Sequence, residues 1–272
     1  MTVYIQQLPV TGSGEVLYPD AAMDAGTACL VDLVDGWAWG GSIPADGESI
    51  TGGNVLNYAL ADDGWDETPG AVTSSGITGD GNGAAVLTQA HYITLPPAFI
   101  PPTGTTKFGV ILWVKNEPAT TVQSGGNNPV FALGFSSGTP VSIGLNYSNY
   151  VATGAFVAGL GFNAGPAPVL AALTDGAVHQ IAIEYDTTTA SASTLKIYVD
   201  GVHVSTFSSS NGSAIPDTIT RAVVGRDPRF SGAGIIGKFM RATMELTGTP
   251  GARPFAETVA LDYSLNSARL AV

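Results

Sequence analysis

The chain has 272 residues, of which 44% are hydrophobic and 12% charged, and it carries a formal net charge of −12. This composition excludes a disordered chain, and the length predicts one large domain, with or without an extension. The single cysteine, Cys29, excludes an intrachain disulfide. No apolar stretch approaches the ~20 residues of a membrane-spanning helix, and Met1–Pro9 lacks a secretory signal pattern. We therefore expect synthesis in the cytoplasm without a signal peptide.

The acidic charge is concentrated on the N-terminal side of the sequence. The first basic residue is Lys107, so residues 1–106 contain 12 acidic and no basic side chains, whereas residues 107–272 contain 10 of each. Nucleic acids and anionic membranes attract clusters of Lys and Arg, so neither is expected as a partner. The acidic part suits a basic partner surface, divalent cations, or simply a soluble acidic surface.

Residues 1–75 contain many turn signals and little periodic pattern, because Pro and Gly interrupt them repeatedly. Candidate strands are Cys29–Val34 and Asn54–Leu60, and a short helix is predicted over Asp20–Ala28. We interpret residues 1–75 as an irregular, acidic N-terminal arm or small subdomain. It is expected to pack partly on the main domain and partly on a partner.

Three of the four tryptophans lie in this arm. Trp37 and Trp39 are spaced i, i+2, which places them on one face of a strand, as in sugar-stacking platforms, and Trp65 follows. The alternative is that they fill an interface or cover the edge of a core, which is the commoner role of such pairs.

Residues 76–272 predict an all-β sandwich, because short candidate strands and turn signals alternate about every 8–12 residues. Phe108–Lys115 is apolar on both faces, which indicates a central strand covered on both sides. We expect the N-terminal arm or a neighbouring subunit to cover its second face. A helix of a turn or two is predicted within Pro254–Leu265.

Asp200-Gly201 separates two β-branched runs and predicts a type I′ hairpin turn. The predicted cross-strand pairs are Val199 with Val202, Ile197 with Val204 and Leu195 with Thr206. The other face of this hairpin is then expected to face solvent: Lys196, Tyr198, His203 and Ser205.

The same segments resemble a known family. His179–Asp186, a variable loop and Leu195–Val202 together resemble the central signature of laminin-G-like, concanavalin A-like jelly rolls, although Val178 stands where that family usually has Trp. Phe108–Lys115 resembles their early buried strand. The segments that resemble the closing strands of that family are Ala222–Gly225 and Gly234–Ala242. The resemblance covers roughly residues 79–265 and implies a concanavalin A-like (laminin-G-like) jelly-roll β-sandwich, a fold that serves lectins, adhesion modules, hydrolases and virion proteins alike.

No catalytic residues are predicted. Glycoside hydrolases of this fold use two carboxylates at i and i+4 on one strand, and no two of the seven Glu residues are four apart. Gly134–Gly138 matches the G-x-S-x-G pattern, but a strand rather than a helix is predicted after it. We therefore expect a protein that is not an enzyme.

No cofactor is expected, with calcium as the open alternative. Many laminin-G-like domains bind calcium at the rim of the sandwich through loop Asp residues, and the resemblance implies that Asp80, Asp186 and Asp227 could do so here. Loop Asp residues also form turns without any metal.

Five basic residues fall within twenty-one positions of the C-terminal part: Arg221, Arg226, Arg229, Lys238 and Arg241. Arg226 and Arg229 belong to a predicted loop between the closing strands, where this fold often presents ligand or partner surfaces. They could contact an acidic glycan or the acidic arm of a neighbouring subunit. The alternative is that all five balance local acids at the surface.

Two functions remain as hypotheses. The first is a non-enzymatic virion structural protein of a bacteriophage, such as a capsid decoration, head-fibre or tail-fibre subunit, located in the virion. Its expected partners are other virion proteins and further copies of the chain, and Gly41–Gly47 resembles linkers in phage tail and virion proteins. The alternative is a carbohydrate-binding, lectin-like adhesin module that contacts cell-surface glycan.

Overall fold

The computed structural model describes residues 20–35, 43–50, 54–55, 60–61, 64–65, 70–71, 76–87, 91–116, 127–134, 141–148, 151–159, 162–164, 166–210, 212–225 and 237–271. In these ranges the chain forms mainly antiparallel strands, which confirms the predicted all-β class. The strands are β1 (Thr27–Asp32), β2 (Asn54–Val55), β3 (Leu60–Ala61), β4 (Gly64–Trp65), β5 (Gly70–Ala71), β6 (Thr78–Gly79), β7 (Ala85–Leu87), β8 (Tyr92–Thr94), β9 (Lys107–Asn116), β10 (Asn127–Leu133), β11 (Val141–Ser148), β12 (Val151–Gly159), β13 (Phe162–Ala164), β14 (Val178–Asp186), β15 (Ser193–Val199), β16 (Val202–Ser209), β17 (Ala222–Gly225) and β18 (Gly237–Glu245). The helices are α1 (Ala167–Ala172) and α2 (Phe255–Leu270). Neither of these described helices has the length and apolar character needed to cross a membrane.

Two sheets form a β-sandwich. The large sheet has the order β16-β15-β14-β9-β18-β7-β6, with β1 also paired to β18, and the small sheet has the order β13-β12-β11-β10-β17-β8. The main hydrophobic core combines Val110 and Ile183 of the large sheet with Phe131 and Val224 of the small sheet. We call the face of the large sheet that points into this core its inner face, and the opposite face its outer face.

Strand β9 is the central strand that the sequence predicted. Its inner-face residues, Phe108, Val110, Leu112 and Val114, all belong to the main core. On the outer face, Ile111 and Trp113 are also buried, so both faces of this strand are covered, as expected from its uninterrupted apolar run.

Helix α2 covers the outer face, so the expectation that the arm or a neighbouring subunit does so is wrong for the described residues. Phe255 and Val259 of α2 form an apolar cluster with Ile111 of β9. Gly109 makes this contact possible, because a Cβ at this position would lie 2.0 Å from Cε2 of the Phe255 ring. The helix occupies the predicted region but runs for 16 residues rather than a turn or two.

The hairpin turn is confirmed, since Asp200 and Gly201 both have positive φ, 51° and 79°. Val199 pairs with Val202 as predicted. The other two predicted pairs are wrong by one residue, because a β-bulge interrupts the register between Ile197 and Tyr198. The observed pairs are Ile197 with Ser205 and Leu195 with Phe207.

The predicted solvent-facing side of the hairpin is also only partly exposed. Tyr198 is 2% exposed and packs edge-on against Phe255 of α2, with 5.7 Å between ring centroids. His203 remains exposed, as predicted. The prediction fails at Tyr198 because α2 covers this part of the outer face.

Strand β1 lies within the predicted N-terminal arm and pairs with β18 of the large sheet. The helix predicted over Asp20–Ala28 is wrong. The Asp24 carboxylate accepts a hydrogen bond from the amide of Gly26, at 2.6 Å, which favours a turn over a helix, and β1 starts at Thr27. Two two-stranded sheets, β2 with β5 and β3 with β4, also fall within the predicted arm, whose boundary at residue 75 stays a prediction.

Candidate functional site

Several strands of both sheets meet at one end of the sandwich. Gly237, the first residue of β18, pairs with Asn116 at the end of β9 and with Leu87 at the end of β7. Gly225, the last residue of β17, lies beside them, because a Cβ at Gly225 would be 3.4 Å from Cδ1 of Leu87. We call this end, marked by Asn116, Gly225 and Gly237, the loop end.

Strand β1 also leaves the sheet at the loop end. The amide of Leu33 donates to the carbonyl of Met240, at 2.8 Å, which continues the strand past Asp32. Gly83 then packs against the exit, because a Cβ there would lie 2.6 Å from Cα of Val34. The φ of Gly83 is +102°, so both its conformation and this close approach require glycine.

The predicted ligand-binding residues lie mostly outside the described residues. These are Trp37, Trp39, Arg226 and Arg229, together with the predicted calcium ligand Asp227. Trp65 is described only as the second backbone residue of β4, paired with Leu60. The segment with Trp37 and Trp39 follows Asp35, and the segment with Arg226 and Arg229 follows Gly225. The structure brings these two described flanks to the loop end.

Asp80, the first predicted calcium ligand, lies near the loop end and shapes a turn. Its Oδ1 accepts from the amides of Asn82 and Ala84, both at 2.9 Å, and its Oδ2 accepts from Lys238 Nζ at 2.8 Å. Burial opposes ionisation of this carboxyl. The bonds from Lys238 and from the Asn82 amide outweigh burial and hold the pKa of Asp80 below its usual range.

Asp186, the second predicted calcium ligand, lies at the opposite end of the sandwich. Its Oδ2 is 3.5 Å from Nζ of Lys107, the first residue of β9, whereas Lys238, the partner of Asp80, pairs with Lys115 near the other end of that strand. The two ends are separated by about 25 Å of extended chain. The structure therefore does not bring Asp80 and Asp186 together, and the described residues contain no cluster of three metal-binding side chains.

His179 is bonded to two carboxylates near the loop end. Its Nδ1 is 2.7 Å from Oδ2 of Asp200, and its Nε2 is 2.9 Å from Oδ2 of Asp175. The bond to Asp200 is the largest cause that raises the pKa of His179 to about 9, and burial opposes it less strongly. The ring is therefore an imidazolium that donates through both nitrogens and ties the start of β14 to the hairpin turn.

Arg241 forms the centre of a charged network on the outer face, beneath α2. It is 0% exposed, and its Nη1 donates to Asp20 at 2.9 Å and to Asp32 at 2.6 Å, while its Nε donates to Asp262 of α2 at 2.9 Å. Burial disfavours the guanidinium charge, but the three carboxylates outweigh burial and raise the pKa of Arg241 above its ordinary value. The interpretation of Arg241 as one of a group of surface cations is wrong.

Asp262 links this network to the rest of the sheet. Its Oδ2 accepts from Nε1 of Trp113 at 2.6 Å and from Nε2 of Gln180 at 2.8 Å, and its Oδ1 accepts from Nδ2 of Asn266 at 3.0 Å. Together with Nε of Arg241, these groups make four donors to one fully buried carboxylate. This satisfies the requirement that a buried charge be paired and hydrogen-bonded.

Arg269, near the end of α2, completes the network at the exit of β1. Its Nη1 and Nη2 donate to the two oxygens of Asp32, at 3.1 and 2.5 Å. Burial opposes the charge on Asp32, but Arg241 and Arg269 together hold the pKa of Asp32 below its usual range.

The sequence from residue 87 to residue 240 matches the model of the concanavalin A-like lectin/glucanases superfamily called Laminin_G_3. This segment is more than half of the chain. The chain belongs to this superfamily. No curated protein matches its sequence.

Two solved structures share this fold at TM-scores of 0.50 and 0.52, and a further solved structure is similar over part of the chain. Domain 4 of AbnA, an extracellular GH43 arabinanase from Geobacillus stearothermophilus in complex with arabinotriose, superposes with a TM-score of 0.50 and 16% identity over 92% of this chain and 100% of that one. Trypanosoma rangeli sialidase in complex with the inhibitor DANA gives a TM-score of 0.52 and 9% identity over 90% of this chain but 33% of that chain. The CBM40 of the Ruminococcus gnavus IT-sialidase gives a TM-score of 0.46 and 11% identity over 65% of this chain and 95% of that one.

The resemblance to concanavalin A-like, laminin-G-like domains is thus confirmed, and the bacteriophage origin stays a prediction. Within this concanavalin A-like domain, sequence reasoning missed the partners of His179 and the network around Arg241. Asp175 stands four residues before His179 and was a usable signal. The contacts of Arg241 with Asp20 and Asp32 join residues more than 200 positions apart, and no local pattern reveals them.

Proposed function

We propose that the chain is a non-enzymatic, glycan-binding module of the concanavalin A-like superfamily and that its ligand binds at the loop end. The observation that carries this proposal is the extent of the match to domain 4 of the arabinanase, which spans the whole of that domain and 92% of this chain. That domain was solved with arabinotriose. A module of the same size and fold is suited to the same class of ligand.

The charge arrangement supports binding rather than hydrolysis. Glu184 Oε2 accepts from Lys196 at 2.9 Å, and Asp186 contacts Lys107, so both members of the nearest carboxylate pair are engaged by lysines. Hydrolysis by the retaining mechanism needs two carboxyl groups about 5–5.5 Å apart that both face the substrate. Carboxylates that are already bound to cations are poorly placed for that work.

The residue types predicted for the site suit a glycan. Trp37 and Trp39 offer aromatic faces on which sugar rings can stack, and Arg226 and Arg229 offer donors for hydroxyl or carboxylate oxygens. Both segments join described residues at the loop end. A neutral sugar would depend mainly on the tryptophans, and an acidic sugar mainly on the arginines.

The test is titration calorimetry of the purified protein with arabino-oligosaccharides and with sialyllactose, each with and without calcium. We expect Trp37→Ala with Trp39→Ala to weaken binding of a neutral glycan at least about tenfold. For an acidic glycan, Arg226→Ala with Arg229→Ala should have the larger effect. Lys107→Ala, at the opposite end, is the control and should leave affinity unchanged. Absence of binding to both glycan classes, or release of reducing sugar, would contradict the proposal.

A second candidate is a structural role in a bacteriophage virion, as a capsid decoration, head-fibre or tail-fibre subunit that assembles with other virion proteins and with copies of itself. The excess of 12 acidic residues before Lys107 favours it, because such a surface suits a basic docking partner. At least four of these acids, however, pair with cations of the same chain: Asp20 and Asp32 with Arg241, Asp24 with Arg253, and Asp80 with Lys238. Sedimentation of the protein from its native source tests this role, since a virion subunit must travel with a large particle.

A further inference from the structure

Two arginines of the C-terminal helical segment hold the two ends of the segment that contains β1. Arg253 lies just before α2 and Arg269 lies in its last turn, so they contact regions that α2 separates by its whole length. Each lies near an Asp side chain whose carboxylate also accepts a hydrogen bond from the backbone amide two residues further along the chain. The two sites share this pairing of residue types but differ in position and in how closely the guanidinium approaches the carboxylate.

At the loop end, the contact runs from Arg269 through Asp32 to Val34. Arg269 Nη1 donates to Oδ1 of Asp32 at 3.1 Å, and the same oxygen accepts from the amide of Val34 at 3.2 Å. Arg269 also bonds Asn266 Oδ1 through Nε at 3.2 Å and through Nη2 at 2.5 Å, which fixes the guanidinium on the helix. The helix is thereby connected, through Asp32, to Val34 just after the end of β1.

At the opposite end, Arg253 bonds Asp24 through its backbone amide, which donates to Oδ2 at 3.0 Å, and its guanidinium is more distant. Its Nη1 lies 3.9 Å from Oδ2 of Asp24 and donates to the carbonyl of Ala22 at 3.1 Å, while Oδ1 of Asp24 accepts from the amide of Gly26 at 2.6 Å. The side chain of Arg253 is 27% exposed and that of Arg269 is 37% exposed. Removal of either guanidinium leaves a partly exposed site, and Asp32 still keeps Arg241.

We propose that Arg269 is a positioning residue for the glycan site: it holds the carboxylate of Asp32, which holds Val34 and so fixes the exit of β1 at the loop end. This inference rests on the proposed glycan-binding function. The guanidinium of Arg253 lies 3.9 Å from Asp24 at the far end of β1 and has no such role. Helix α2 is then the element that aligns the loop end, although it contributes no ligand contact itself.

The experiment compares Arg269→Ala, Arg269→Lys and Arg253→Ala in the full chain by amide hydrogen exchange and by glycan titration. Arg269→Ala should speed exchange of the Val34 amide about tenfold or more and leave Gly26 unchanged, whereas Arg253→Ala should leave Val34 unchanged, because the backbone amide of residue 253 still donates to Asp24. With the glycan that the wild type binds, Arg269→Ala should lower affinity about tenfold, Arg269→Lys should restore part of it, and Arg253→Ala should have no effect.

Hydrogen exchange requires no ligand, so the two proposals fail in different ways. If Val34 exchanges at the wild-type rate in Arg269→Ala, the positioning role is overturned whatever the protein binds. It is also overturned if Val34 responds but both alanine variants change glycan affinity equally, because the effect is then a general loss of stability. If the wild type binds no glycan, the proposed function fails, and the role of Arg269 in glycan binding fails with it. A Val34 amide that exchanges faster in Arg269→Ala than in the wild type would still establish the structural contact from Arg269 through Asp32 to Val34.

Discussion

The two faces of the large sheet are both buried, but they are buried by different means. The inner face packs apolar side chains such as Leu112 and Ile183 against the small sheet, and this contact is stabilised mainly by the hydrophobic effect. The outer face places Arg241 and Gln180 beneath α2, with Asp262 of the helix between them. Beside the apolar cluster of Ile111, Phe255 and Val259, this face therefore contains directional hydrogen bonds, which form at only one arrangement of the helix on the sheet.

Because of this difference, the inner face mainly stabilises the fold, and the outer face mainly fixes the positions of α2 and β1. Apolar contacts tolerate small displacements, whereas a buried carboxylate with four donors is satisfied only when each donor is in place. The outer face therefore fixes how α2 and β1 sit on the sheet, and both elements reach the loop end. The inner face contributes most of the cohesion, and the outer face most of the orientation.

The largest effect is expected from Arg241→Met, which keeps a long apolar side chain but removes the charge. Asp32 and Asp262 would then be buried with fewer cations, and we expect a loss of about 3–5 kcal/mol in the free energy of unfolding at pH 7. Urea denaturation followed by tryptophan fluorescence measures it. Because the pKa of Asp32 is lowered, the stability that it contributes is present above its ordinary value of 3.8 and is lost as pH falls through the folded value.

The loss in Arg241→Met should therefore shrink in acid, where Asp32 becomes protonated. Leu112→Ala on the inner face is the matched control, with an expected loss of about 2–5 kcal/mol that does not depend on pH. Equal pH dependence of the two variants would remove the distinction between the faces.

A smaller effect of opposite sign is expected from Glu245→Gln on the outer face. Glu245 is 2% exposed and accepts a hydrogen bond from Oγ1 of Thr27 at 2.8 Å. Burial is the largest cause that raises its pKa well above 4.5, Thr27 opposes the shift, and Asp24 adds to it. Its contribution to stability is thus fully present below pH 4.5 and is lost as pH rises through the folded pKa. Glutamine accepts the same bond without a titrating proton, so it should match the wild type at pH 4 and exceed it by about 1–3 kcal/mol at pH 8.

Glu184→Gln provides the control for Glu245→Gln, because Glu184 lies in the same row of the sheet, across Gly109. Glu184 is bonded to Lys196, so the glutamine should weaken rather than strengthen the fold. A stabilising effect at both positions would show that the outer face disfavours any carboxylate, and the specific account of Glu245 would be wrong.

The same difference between the faces explains how far the sequence alone could predict the structure. The inner face follows the rules of apolar periodicity, so β9 and the Asp200-Gly201 turn were predicted correctly. Helix α2 was predicted too short because its buried side includes Thr258, Asp262 and Asn266, which a hydrophobic pattern does not detect.

The candidate site was predictable only in part. The register of the hairpin failed at a single bulge, and Arg241 was assigned to the surface because a charged residue within an alternating strand ordinarily faces solvent. The partners that bury it, Asp20, Asp32 and Asp262, come from distant parts of the chain. Sequence could place the segments that carry Trp37 and Arg226, but only the fold shows that their described flanks share one end.

The smallest effect on stability is expected at His179, where the apolar inner face ends in a charged side chain. Its pKa is raised from 6.5 to about 9, so the stability from its bonds to Asp175 and Asp200 is fully present below pH 6.5 and is lost as pH rises through about 9. We expect His179→Gln to cost about 1 kcal/mol at pH 5.5, since Asp175 is half exposed and its attraction is screened, and to cost almost nothing at pH 9.5. His203→Gln, on the exposed strand β16, is the control for replacing a histidine on this sheet. A cost for His179→Gln that persists at pH 9.5 would mean that the imidazole acts as a neutral hydrogen-bonding group, and charge would then be confined to the outer face.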